Sequence, residues 1–179
     1  MNKENNAAVS TPVYRQTAAY AIEHGELDAY RASDKVNMQC KKAIVDAINE
    51  NYHDNCLNTK AVSAQLASEF GLDRVSYLLA VTVQFKDYDG RFSSANKAWA
   101  KFVPVIPNGT EWGEDRNVYL VVDQAHPGLV DLLVTQVRKE LAQEKEQPEK
   151  KPSILEKLQK PAVTAQTASA PKKQKEFSL

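Results

Sequence analysis

Apolar residues recur at helical spacing through most of the first 147 positions. Pro12 suits the first position of a helix. Tyr14, Ala18, Ala21 and Ile22 follow, and Gly25 supplies a stop. Leu27, Tyr30, Ala43, Ile44, Ala47 and Ile48 predict a second, long helix ending near Glu50, with the polar stretch 31–39 weakening its middle. Residues 51–58 are turn-rich. Thr59 is placed to cap a third helix carrying Val62, Leu66 and Phe70, closed by Gly71. Asp73 then caps a fourth helix with Val75, Leu78, Leu79 and Phe85 along one face. Thr82 falls on that face through its methyl, and the β-branched residues 81–83 suit a strand as well. Asp87-Tyr88-Asp89-Gly90 reads as a turn. Ser93 caps a fifth helix with Trp99 and Phe102, and Pro104 ends it, because the residue before proline avoids the helical region.

Further on, residues 105–116 read as a long loop. Residues 118–122 form the best strand candidate, with residues 102–106 as its partner in a small hairpin. Pro127 opens a helix with Leu129, Leu132, Leu133, Val137 and Leu141, whose far end, residues 139–146, mixes charges and is expected to be solvated. From Pro148 the texture changes to Pro, Lys, Ala, Gln, Ser and Thr, broken by one amphipathic island at 153–160. No repeat is visible at a 20–50 residue period. The expected fold is mainly α: a single helical domain over residues 12–147 with a small β-hairpin. Residues 1–11 are expected to be disordered, and residues 148–179 to form a flexible, disordered basic tail.

Composition sharpens this picture. The chain has 179 residues, which suits one domain. Lys+Arg and Asp+Glu both number 23, so net charge excludes a general polyanion binder and a strongly acidic DNA mimic. The charge is uneven, however: residues 1–147 carry 16 basic and 20 acidic groups, a balance of −4, and residues 148–179 carry 7 and 3, a balance of +4. The longest apolar runs have five residues, against the ~20 that a membrane span needs. The polar start of the chain has no secretory signal, and Cys40 and Cys56 make a poor disulfide framework. A cytoplasmic, reduced protein is therefore expected.

The chemical motifs are sparse. Asp87-Tyr88-Asp89-Gly90 resembles a calcium loop, but setting Gly90 at loop position 6 puts Phe85 and Asn96 where carboxylates belong. His53 and Cys56 lack the second ligand pair of a zinc site. There is no GxSxG elbow, no phosphate-cradling glycine loop and no HExxH, so neither an enzyme nor a cofactor or metal site is expected. Residues 61–80 have the outline of a helix-turn-helix in which Asp73, Arg74 and Ser76 would face a major groove, although only Arg74 is cationic there. The tail lysines offer non-specific contact with nucleic acid. Tyr88 and Phe92, on a turn beside Arg91, have the composition of interface anchors, with core packing as the competing role.

A longer pattern carries more information. The segment from Tyr20 to Ser33, YAIEHGELDAYRAS, is similar to a signature of uncharacterised proteins from phages, plasmids and conjugative elements of gut bacteria. Phe70-Gly71, Arg74-Val75, Asp89-Gly90-Arg91-Phe92-Ser93, the segment 96–101 around Trp99-Ala100, Val122-Asp123 and His126-Pro127-Gly128 extend the match over roughly residues 13–140. That family resembles one containing an anti-CRISPR protein. The resemblance implies an inhibitor carried by a mobile genetic element that binds a guide-RNA-loaded type II CRISPR nuclease and stops target DNA recognition or cleavage. Such a nuclease holds its heteroduplex in a positively charged channel. Asp87, Asp89, Glu111, Glu114 and Asp115, on expected loops, are then candidates for contact with its cations, and Tyr88, Arg91 and Phe92 for the aromatic and arginine part of the interface. The competing expectation is a DNA-binding accessory or regulatory protein of a mobile element, using residues 61–80 and the tail.

Overall fold

The computed structural model describes residues 8–105 and 120–146. The fold is mainly helical with one small two-stranded antiparallel sheet. The chain divides into two units, Met1–Glu146 and Gln147–Leu179, and the elements below all belong to the first.

Helix α1, Ala18–Glu23, starts at Thr17, whose Oγ1 accepts the Tyr20 N–H at 3.1 Å. Gly25, at φ +71°, turns the chain into helix α2, Leu27–Glu50. This helix runs unbroken through its polar middle. Ser33 and Asn37 lie on the buried stripe that continues through Cys40, Ile44, Ala47 and Ile48, and both residues accept hydrogen bonds from the buried Arg74.

Strands β1, Tyr52–His53, and β2, Cys56–Leu57, follow, joined by Asp54 and Asn55 at φ +52° and +60°. Two consecutive left-handed residues are the signature of a type I′ turn, whose twist matches that of a hairpin. The hairpin thus lies in the segment read only as turn-rich. It is not at 102–106 with 118–122. Phe102 is helical, Val121–Asp123 is a 3₁₀ turn, and the Val121 N–H donates to Thr82 Oγ1 at 3.2 Å, not to a strand. The rest of that expected pair, residues 106 and 118–119, lies outside the described residues.

Helix α3, Thr59–Phe70, is capped by Asn58 (not Thr59), whose Oδ1 accepts the Ala61 N–H at 3.2 Å. Gly71, at φ +80°, ends α3 and at once begins α4, Leu72–Phe85. Asp73 therefore sits inside the first turn and pairs with Arg15 at 2.8 Å; it does not cap. Eleven of the 14 residues of α4 are buried, and α2, α3, α5 and α6 all pack against it. At ~1.5–3 kcal/mol for each large apolar side chain, that burial outweighs the strand preference of the β-branched residues 81–83. Helix α5, Ser94–Phe102, is capped by Ser93, and helix α6, Pro127–Glu146, buries Val130, Leu133, Val134 and Val137.

Two polar seams fasten this core. In the first, Arg74 Nη1 donates to the Ser33 carbonyl at 3.2 Å and to Asn37 Oδ1, and Nη2 donates to the Thr11 carbonyl at 2.6 Å. The Tyr14 N–H donates to Ser33 Oγ at 2.9 Å. These lateral bonds hold residues 12–16 out of helical geometry, so the helix expected from Pro12 begins at Ala18. They also order the end of a segment expected to be disordered: residues 8–10 are helical and Ala8 is buried.

The second seam joins α5 to α6. The fully buried Asn96 donates through Nδ2 to the Asp131 carbonyl at 2.9 Å, to Asp131 Oδ1 at 2.7 Å and to Thr135 Oγ1 at 3.0 Å. Its Oδ1 accepts from Arg138 Nη1 at 2.7 Å. Asp131 Oδ1 also accepts the Ser93 N–H and hydroxyl at 3.0 and 3.2 Å.

Candidate interaction surface

The turn between α4 and α5 is the part of the sequence-derived site that the structure describes. Gln84, at the end of α4, donates through Nε2 to the Ala100 carbonyl at 2.5 Å and the Val103 carbonyl at 3.0 Å, which sets the end of α5 beside the turn. Lys101 and Asp87 then meet at 3.8 Å.

Within the turn, Asp89 Oδ1 accepts the Arg91 backbone N–H and Nε, both at 2.9 Å, and Oδ2 accepts Nη2 at 2.7 Å. The guanidinium fork, helped by the backbone N–H, holds the Asp89 carboxyl down from the ordinary 3.8 to about 2. Both described acidic candidates therefore already face a cation of their own chain. An acid that must first release Arg91 or Lys101 is a poor free contact for a partner's arginine.

The aromatic candidates separate. Tyr88 is 80% exposed, with Lys86 Nζ 6.0 Å from its ring centroid. Phe92 is 3% exposed and belongs to the core, so its reading as an anchor is corrected. It stands immediately before the α5 cap, a position from which an apolar side chain turns inward. Glu111, Glu114 and Asp115 lie outside the described residues.

Sequence reasoning missed Phe102, which it grouped with Trp99 on the apolar face of α5. Phe102 is 87% exposed; it and Tyr88 are the two most exposed large hydrophobic residues among those described. Helix α5 turns Asn96 and Ala100 inward. Phe102, two residues past Ala100, lies about 200° around the helix. The signal was present as the i, i+4 pairing of Asn96 with Ala100, but it is hidden from any reading that seeks large apolar residues. Tyr88 and Phe102 each adjoin a member of the Asp87–Lys101 pair, so the edge combines two exposed rings with locally neutralised charge.

The other sequence candidates resolve differently. Arg74 and Ser76, expected to face a major groove, are 1% and 6% exposed, and α4 is enclosed by other helices. Of the three residues named for a major groove only Asp73, an acid, is exposed, so the described face offers no cation where a recognition helix would present one. His53 and Cys56 are cross-strand partners, and among the described residues no group of three or more His, Cys, Asp or Glu gathers as a metal site would require. Burial pushes the Cys40 thiol up to about 12, which keeps it protonated and unreactive. Among the described residues no helix is long and apolar enough to cross a membrane.

Comparison with known proteins completes the description. No curated protein and no solved structure matches the chain. One family model matches residues 13–142, from the arm ahead of α1 nearly to the end of α6, and the chain belongs to that family, described as a protein of unknown function (DUF3849).

Proposed function

We propose that the protein is a non-enzymatic inhibitor that acts by covering a surface of a macromolecular partner, with Tyr88 and Phe102 as its contact edge. The observation that carries this reading is the exposure of those two rings, 80% and 87%, beside charges that are already paired within the chain. Exposed aromatic residues next to arginine have the composition of interface hot spots, and pre-paired ions lower the desolvation cost of a polar rim. The resemblance found in the sequence supplies the partner: a guide-RNA-loaded type II CRISPR nuclease, met in the cytoplasm of a bacterial host. Because the acidic groups of the turn hold their own cations, shape and aromatic contact carry the docking more than charge does.

The test is target-duplex cleavage by the guide-loaded nuclease, with and without preincubation with the full chain. Loss of cleavage at near-stoichiometric protein, restored when Tyr88→Ala and Phe102→Ala are combined in one chain, is the expected result. Each truncation at a hot spot removes about 2 kcal/mol of binding, roughly 30-fold in affinity. Undiminished cleavage across several orthologues would discard the nuclease as partner. Inhibition unchanged by the double substitution would remove this edge from the site.

A further inference from the structure

A groove of about 480 Å³ runs between α5 and α6, and its lining includes Trp99, Arg138, Lys139, Ala142 and Lys145. Its volume lies within the ~300–1,000 Å³ of small-molecule sites. Among the described residues the lining carries three cationic side chains, one indole and no carboxylate.

Three acidic residues of α6, Asp131, Glu140 and Glu144, are accounted for elsewhere. Asp131 is taken up by Ser93 and Asn96. Glu140 accepts from Ser63 at 2.5 Å and from Gln136 at 2.7 Å. Glu144, one turn further on, follows the Glu140 face. Among the described residues Arg138, Lys139 and Lys145 form no ion pair.

Arg138 is also positioned in advance. Its Nη1 is held by Asn96, which is fully buried and itself fixed by Asp131 and Thr135. One of five guanidinium donors is spent on that bond and four remain. A half-buried arginine held by a buried amide loses less entropy on meeting an anion than a free surface lysine does. A second groove, about 590 Å³ along α2, has no such bias: Lys35 and Lys42 are matched there by Asp46 and Glu69, and Lys42 is already bonded to Asp46.

We propose that the α5–α6 groove is a binding site for a nucleotide unit, with phosphate on Arg138, Lys139 and Lys145 and the base against Trp99. Cations alone would serve any anion. The indole beside them selects a ligand that joins negative charge to a flat ring, as each unit of a single-stranded nucleic acid does. An acidic peptide uses only half of this chemistry. The site goes beyond the inhibitor reading and does not depend on it.

Trp99 is its own reporter, since the chain has only one other tryptophan. In full-length protein carrying Trp112→Phe, indole fluorescence is titrated with AMP, with an eight-residue oligouridylate, and with a glutamate peptide of equal charge. The expected result is quenching by both nucleotide ligands, about tenfold weaker in Arg138→Gln and several-fold weaker in Lys145→Gln, an exposed position whose change leaves the fold intact. Tighter binding of the oligomer, with a log–log salt slope of about −0.7 for each phosphate engaged, identifies a strand as the source. Equal binding per nucleotide, with the slope of one phosphate, identifies the free nucleotide. No quenching at millimolar ligand, equal binding of the glutamate peptide, or nucleotide affinity untouched in both variants would overturn the proposal.

Discussion

Asn37 and Asn96 do the same thing in two places: each is buried within a helix, and each accepts a hydrogen bond from an arginine Nη1 through its side-chain oxygen. What differs is the arginine. Arg74 is 1% exposed, and its other acceptors are the carbonyls of Ser33 and Thr11, so its charge is enclosed and spent on holding chain to chain. Arg138 is half-buried, at the edge of its seam, and bonds only Asn96 among the described residues. In the first seam the amide completes a clamp. In the second the amide is itself clamped, by Asp131 and Thr135, and presents an arginine outward. Whether a buried asparagine serves folding or presentation is decided by how far its arginine partner is enclosed.

The largest expected effect breaks the first seam. Arg74→Ala strands acceptors on the arm and on α2 in a closed core, at a cost of about 3–5 kcal/mol in denaturant-induced unfolding. A loss below 1 kcal/mol would mean that the clamp is not holding the arm. Asn96→Ala should cost less, about 2 kcal/mol, because Asp131 still caps Ser93 and Arg138 can reach water. Should it equal Arg74→Ala, the two seams would not differ in kind.

The smallest effect concerns a third arginine, one with nothing to enclose it. Arg91→Gln should leave the helices in place and raise the Asp89 midpoint from about 2 toward the ordinary 3.8, read by NMR of the side-chain carboxyl. A depressed carboxyl stabilises the fold above its unfolded value, and that contribution fades as pH falls toward about 2. The wild-type turn should therefore lose its ion pair only in strong acid, and the variant should show no such transition.

Much of the helical frame was readable from spacing alone. Val62, Leu66 and Phe70, or Leu133 and Val137, face the core because nothing else can cover them. The residues that escaped are those whose role depends on a distant partner. Ser33 and Asn37 look like surface in a helix until Arg74, some 40 residues away, is placed against them. Asn96 likewise needs Asp131 and Arg138. Phe102 looked like core for the converse reason, since its hydrophobicity says nothing about which way α5 is rolled, and the buried amide of Asn96 sets that roll. The hairpin at Tyr52–Leu57 was invisible because two-residue strands are too short to alternate. Within the candidate edge, the turn was legible from Asp and Gly, whereas the internal pairing of its charges was not.

The arm ahead of α1 leaves the ribosome before the helices it docks on and is fastened late. Thr11 waits for Arg74, 63 residues downstream, and Arg15 reaches for the Pro104 carbonyl, 89 residues on. During synthesis at about 5–20 residues per second, those partners follow only seconds later. An arm made before its partners is therefore the stretch whose docking reports that the helical core has closed around Arg74.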